Sequence, residues 1–417
     1  MRLLIGVGGS LVLASLIALA VTQAPLGSPL FFALAAVPYV VYGVLVRQLL
    51  ARAAPHGTRT LFTIALVFAV AFRAPLLVRP VDAHNDMIRY IYDGRLQRLG
   101  YNPFLVLPSD PAVAGTHTPD TRVMPSLRAR TPYAAAAQLF FRLVVSISES
   151  PRAMKLAIVG CDLLTIAVLI AWLRSTRRSP WLALIYAWSP LVILEVAHSG
   201  HIDALGALSV AISAWMLSTG RGMRAAIAFV AAVATKLLPI VLLPLFWKRI
   251  RPRDALVGLV ALAALYLPFA SAGILPLGAV PNVVAHIRFN GPVFSALAAL
   301  LTPDGAALVA VGAGFGAATW MRLHKGADEP AAWGWPMAVS LAAAPVVYPW
   351  YLLFFTPFLF TRAALPLLVW TYSVFPVYFV WYLSLHGHRW VVPASLAWLE
   401  YGTVVATMAF MTRKRES

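Results

Sequence analysis

The chain is a succession of apolar runs near twenty residues long, divided by short clusters of arginine and lysine. A helix of about 20 residues crosses the hydrocarbon core of a bilayer. Such a span satisfies its backbone polar groups internally, which lipid requires. The runs lie at 3–22, 29–46, 60–78, 156–173, 180–197, 204–218, 255–272, 305–321, 331–349, 351–360, 363–383 and 394–411. They predict an all-α, polytopic transmembrane protein, a single domain over residues 1–417 with about 12 to 14 membrane helices. Composition agrees: 12% of residues are charged, where a soluble domain carries about a quarter. An excess of 33 Lys+Arg over 15 Asp+Glu would suggest nucleic acid in a soluble chain. Here the basic residues sit between apolar runs, the pattern of cytoplasmic loops, and nucleic acid is excluded as a partner. The one cysteine, Cys161, rules out an intrachain disulfide and a thiolate metal cluster.

Arg2 before the first run and Ala18-Leu19-Ala20 near its end also fit a cleaved signal peptide, but the apolar run continues past that point. On either reading the second run enters from outside. The positive-inside rule then puts Arg2, Arg47/Arg52/Arg59, Arg174/Arg177/Arg178, Arg221/Arg224, Lys248/Arg249/Arg251/Arg253, Arg322/Lys325, Arg362 and Arg413/Lys414/Arg415 on one side. Apart from the stretch 73–155, only Lys236, Arg288 and Arg389 fall opposite. Both termini are expected in the cytoplasm, with the protein in the plasma (inner) membrane.

The run 225–247 has basic residues at both ends, Lys236 in the middle, and Pro239 and Pro244 inside. Proline breaks the helical ladder, and broken helices at membrane depth line wet cavities. The run is read as two half-helices of a re-entrant pair with Lys236 near the turn; a kinked span with a snorkelling lysine is the competing reading. Residues 79–155 form the one long polar stretch, an expected external loop carrying Asp82, Asp86, Asp93, Asp110 and Asp120. Within it, 132–148 is apolar except for Gln138, Arg142 and Ser146, a narrow polar stripe that predicts a helix lying in the interface.

Ionisable residues at membrane depth are functional candidates by default, and on the outer side they converge. On a helix Asp82, Asp86, Arg89 and Asp93 share a face. Glu195, His198, His201 and Asp203, then Lys236, Arg288-Phe289-Asn290, Tyr348-Pro349-Trp350-Tyr351 and His386/His388/Arg389 reach the same surface. A cavity of carboxylates, cations and aromatics suits a phosphorylated sugar. Plainer readings stand beside this. Asp86 and Arg89 pair with each other, and His198, His201 and Asp203 cap a helix or hold a metal. Tyr348–Tyr351 forms an interfacial aromatic belt, Arg73 snorkels from a helix end, and Asp162 is a buried structural hydrogen-bonder.

Taken in order, these segments resemble the membrane-embedded C-type (GT-C) glycosyltransferases, most closely the bacterial polyprenol-phosphate-mannose-dependent mannosyltransferases. The resemblance rests on Asp86, Arg89, Tyr90, Asp93 and Gly94, then Gly100, Asn102, Pro103 and Phe104. It continues through Trp188-Ser189-Pro190-Leu191, Glu195, Gly200-His201-Ile202-Asp203, Thr235-Lys236-Leu237-Leu238-Pro239 and Pro349-Trp350-Tyr351, over residues 80 to 355. The chain departs from the pattern where Asn85 replaces the first acid of a pair, Ser189 replaces Asn, and Arg130-Thr131-Pro132-Tyr133 stands for Tyr-Pro-Pro. The lost acid leaves a two-carboxylate metal site, and the identity of the sugar, open.

The resemblance implies transfer of a hexose such as mannose from a polyprenyl-phosphate donor to a glycolipid or glycan acceptor at the outer face, with inversion. No cofactor is certain, and a divalent metal remains possible. Phosphate is already a good leaving group, so a base alone suffices where glycosidases need an acid as well. Asp86 is expected to be that base. Arg89, Lys236, Arg288, Asn290 and Arg389 are expected at the donor phosphate and sugar. Asp93, Glu195, His201, Asp203, Tyr348 and Trp350 are expected to position sugar or acceptor. A lipid-linked glycan flippase would show pseudo-repeats, which are not evident. An O-antigen-type ligase or polymerase would need a large external loop later in the chain.

Overall fold

A computed structural model describes residues 1–51, 58–81, 85–124, 126–271 and 277–416; Arg52, Asp82 and His84 lie outside the described residues. The first helices are α1 (Leu4–Thr22), α2 (Pro29–Ala51) and α3 (Arg59–Leu77). A non-spanning part follows with α4 (Asp86–Arg98) and α5 (Ala135–Ile147). Next come α6 (Pro151–Ser175), a pair α7 (Pro180–Ala187) and α8 (Pro190–His198) bent by 54°, α9 (Asp203–Ser218), α10 (Gly222–Val233) and α11 (Pro252–Phe269). The remainder is α12 (Val280–His286), α13 (Pro292–Leu300), α14 (Pro303–His324), α15 (Pro330–Ala342), α16 (Arg362–Leu385) and α17 (Ala394–Glu416). No strand is present among the described residues; a single bridge pairs Phe289 with Val346.

Seven helices, α1, α2, α3, α6, α11, α14 and α16, are long and apolar enough to cross a membrane, or eight spans if α7 and α8 count as one. The chain is an integral membrane protein. The other five expected runs are helical but shorter, bent or more polar, and proline accounts for much of this. Pro190 follows the bend between α7 and α8, and the run 351–360 forms 3-10 turns around Pro349 and Pro357. α17 is long enough but carries Glu400 and a basic end.

The basic clusters gather at one end of the bundle. Arg178 meets Glu329 at 3.2 Å, and Arg249 donates to the Lys325 carbonyl. Arg322 donates to Trp247 O at 2.6 Å, Trp335 to Ala363 O at 3.1 Å, and Arg362 to Leu50 O at 3.0 Å. The run 225–247 does fold back: α10 ends at Val233, a 3-10 helix Leu238–Phe246 follows, and the Phe229 and Phe246 rings meet at 4.7 Å. Lys236 stands at the turn between them.

Two expectations are corrected. Arg73 does not snorkel. It is 1% exposed and grips Asp162 with two nitrogens, at 2.7 and 3.3 Å, while donating to Ala69 O and Ala187 O. The pair ties α3 to α6, with Asp162 in the structural role expected. The helix predicted at 132–148 is α5, whose 13 residues at about 1.5 Å each are too short to span. Its polar stripe is split: Arg142 and Ser146 are exposed, but Gln138 is turned inward. α5 packs on α4 through Gly94, where a Cβ would lie 2.7 Å from Phe141 O.

Candidate functional site

The site is assembled at the N-terminus of α4. Asn85 caps that helix, its Oδ1 accepting from Met87 N at 2.8 Å while its Nδ2 donates to Ser199 O at 3.0 Å. The residue standing where a second acid was expected thus docks α4 against the loop before α9. Gly200 in that loop has φ +73, the left-handed region that favours glycine, and a Cβ there would make the end of the Met87 side chain shift. The next residue along from the cap, Asp86, is half-buried, and its carboxylate forms no hydrogen bond or ion pair among the described residues.

Asp86 lines a cavity of about 300 Å³ together with Asp203, Lys236, Tyr348, Trp350 and Tyr351. Lys236 Nζ lies 2.6 Å from Asp203 Oδ1 and 3.3 Å from the centre of the Tyr351 ring. Asp203 is 2% exposed and the Lys236 side chain 31% exposed, so the lysine is the more open partner where both border the cavity. The aromatic wall is a stack: Trp350 lies on Tyr348 at 4.4 Å and on His201 at 4.0 Å, nearly parallel in both cases. Glu195, fully buried, accepts from His201 Nδ1 at 2.7 Å and so fixes the ring behind Trp350. Burial, reinforced by the Asp86 and Asp203 carboxylates, pushes the Tyr90 phenol well above its ordinary range, so it stays a neutral hydroxyl beside the cavity.

Other expected residues have different places. Arg89 borders the cavity but does not pair with Asp86. Its guanidinium binds Asp93 at 2.7 Å and the carbonyls of Ser126 and Ala129, and its Nη2 is buried with no hydrogen-bond partner among the described residues. Asp93 is 0% exposed and accepts from Gln138 at 2.8 Å as well; it is a brace under α4 and does not reach the cavity. The four-residue spacing that suggested a shared face is the spacing of this ion pair. Arg288 turns to the Ile287 and Ala285 carbonyls and over the Phe294 ring. Asn290, buried with φ +51, donates to Glu400 at 2.8 Å and anchors α17. Both line a separate groove between α13 and α17. Arg389 is exposed on the loop after α16 and is not among the cavity's lining residues. Glu400 of α17 holds Asn290 away from the cavity, the carbonyls at the end of α12 hold Arg288, and Arg389 stands on an exposed loop.

His198, His201 and Asp203, the residues of the metal reading, each have a separate partner. His198 Nδ1 bonds Ser199 Oγ, His201 binds Glu195, and Asp203 binds Lys236. Among the described residues no three acidic, histidine or cysteine side chains converge as ligands. Tyr90, Tyr133, Tyr351 and Asn282 also line the cavity. The tyrosines lie in the quoted motifs, which was their signal; Asn282 has none, being brought in by α12.

These features define an integral membrane protein whose helices enclose a charged pocket with an aromatic wall. No protein-family model, curated protein or solved structure matches the chain.

Proposed function

We propose that the chain is a GT-C-like glycosyltransferase of the plasma membrane, moving a hexose such as mannose from a polyprenyl-phosphate donor to a glycolipid or glycan hydroxyl at the outer face. The observation that carries this reading is the junction of two cavities at Lys236. The charged cavity adjoins an apolar one of about 220 Å³, and Pro132, Tyr133, Lys236, Val283, Val346 and Tyr351 line both. Phe104, Leu237, Tyr266 and Leu341 complete the apolar side. An amphiphile with an anionic group between an apolar chain and a polar head matches that sequence of surfaces.

In this reaction the acceptor oxygen forms a bond to the anomeric carbon from the face opposite the phosphate. The carbon–oxygen bond to phosphate breaks and its electron pair leaves with the phosphate. The acceptor proton passes to the Asp86 carboxylate. Lys236 faces the departing charge, and its bond to Asp203 holds the ammonium in place before the donor arrives, a preorganised cation of the kind that stabilises developing anions. Tyr348 and Trp350 form the aromatic side of the cavity for the sugar, with His201 stacked behind Trp350. Purified protein in liposomes, supplied with radiolabelled polyprenyl-phosphate hexose and candidate lipid acceptors, tests the reading. Label appearing on the acceptor supports it; movement of intact donor across the bilayer with no cleavage would make the protein a transporter instead.

A further inference from the structure

A larger groove, sharing no lining residue with this cavity, lies at the end of the bundle that gathers the basic clusters. It encloses about 810 Å³ between α2, α16 and α17. Gly43 and Tyr372 face each other in its lining, and a Cβ at residue 43 would come within 3.2 Å of Tyr372 Oη. Among the described residues its lining is apolar apart from Tyr372 and two arginines, Arg47 and Arg362, and includes no acidic residue.

The two cations are placed in different ways. Arg362 donates from Nε to Leu50 O at 3.0 Å and from Nη2 to Ala51 O at 3.4 Å. It thereby caps the carbonyl end of α2, where positive charge is favoured, and its planar fork is held at the mouth of the groove. Arg47 stands one turn earlier on α2 with its side chain exposed. Arg413 follows in α17 just past Phe410 and Met411, which line the groove.

We infer that this groove binds one anionic phospholipid of the surrounding membrane, its acyl chains against α2, α16 and α17 and its phosphate at Arg47 and Arg362. The apolar floor suits any lipid, so the selectivity rests on charge. Guanidinium groups bind phosphate through paired N–H donors, and basic pockets between membrane helices recognise anionic head groups. The inference stands independently of the proposed reaction.

Titration of the purified full chain in neutral detergent with phosphatidylglycerol or phosphatidylcholine, followed by native mass spectrometry and thermal melting, tests it. Each basic residue near an anionic head group contributes roughly a factor of five in affinity. Phosphatidylglycerol should therefore bind about 25-fold tighter than phosphatidylcholine and raise the melting temperature saturably. Arg47→Gln should cut that preference about fivefold, and Arg47→Gln with Arg362→Gln should abolish it. Val369→Trp, which fills the groove and keeps both charges, should lower binding of both lipids. Equal binding of the two lipids, or a preference that survives Arg47→Gln unchanged, overturns the inference. Arg47→Gln decides the matter even if loss of the Arg362 cap prevents folding, because the Arg47 side chain is exposed and caps no helix end among the described residues.

Discussion

Lys236 and Asp203 form an ion pair of 2.6 Å that joins the turn of a folded-back helix pair to the first residue of α9. Lys236 sits where the helical ladder is broken, and Asp203 sits where α9 begins, so a carboxylate there also favours the helix N-terminus. Lys236→Ala should raise the donor concentration needed for half-maximal transfer more than that of the acceptor. Lys236→Arg should recover only part, since the guanidinium is larger and planar. Kinetics with each substrate varied in turn check this; unchanged donor dependence in the alanine variant removes Lys236 from the phosphate site.

Asp86→Asn should stop transfer while leaving folding and donor retention intact. The side chains are nearly isosteric and the carboxylate accepts no hydrogen bond among the described residues, so little packing is lost. General-base catalysis contributes about 10²–10⁴-fold, and a loss of at least two orders of magnitude in turnover is expected. Retention of most activity would return the search for the base to Glu195 or Asp203.

Asp93→Asn should act on stability. Asp93 receives Arg89 and Gln138 in a fully buried setting, and an amide leaves the guanidinium without its counter-charge. Breaking a buried pair from one side costs about 3–5 kcal/mol. Thermal melting should fall clearly, while turnover per folded molecule stays within a few-fold of the parent.

The Arg73–Asp162 pair offers a sharper comparison. Asp162→Ala should destabilise the protein by about 3–5 kcal/mol because it strands a buried guanidinium. Arg73→Met with Asp162→Leu should restore most of that loss, since a well-packed apolar pair replaces two desolvated charges. A double variant as unstable as the single one would mean that the Arg73 bonds to Ala69 O and Ala187 O carry the larger share.

Topology is tested by cysteine labelling after Cys161 is replaced. A cysteine at Asp110 should react from outside and one at Arg177 from the cytoplasm, as the basic asymmetry requires. Labelling of both from one side would contradict the orientation.

The sequence alone determined the solvent and most of the helices. Apolar runs near twenty residues leave no alternative to lipid, and the seven long spans fall where those runs lie. The break at Lys236 was legible too, because Pro239 cannot donate to the ladder and a mid-run lysine needs a polar neighbour. Asp86, Lys236, Tyr348 and Trp350 could be placed together because each stands in or beside a motif at the end of an apolar run. Only tertiary structure decided which of two neighbouring charges serves the cavity. Asp86 and Asp93 stand on one short helix, yet α5 brings Gln138 against Asp93 while Asp86 is left at the open end. Likewise Asn290 is fixed by Glu400, more than a hundred residues later in the chain. Periodicity reports which way a side chain leaves its own helix; its partner comes from another helix, and local sequence carries no term for that distance.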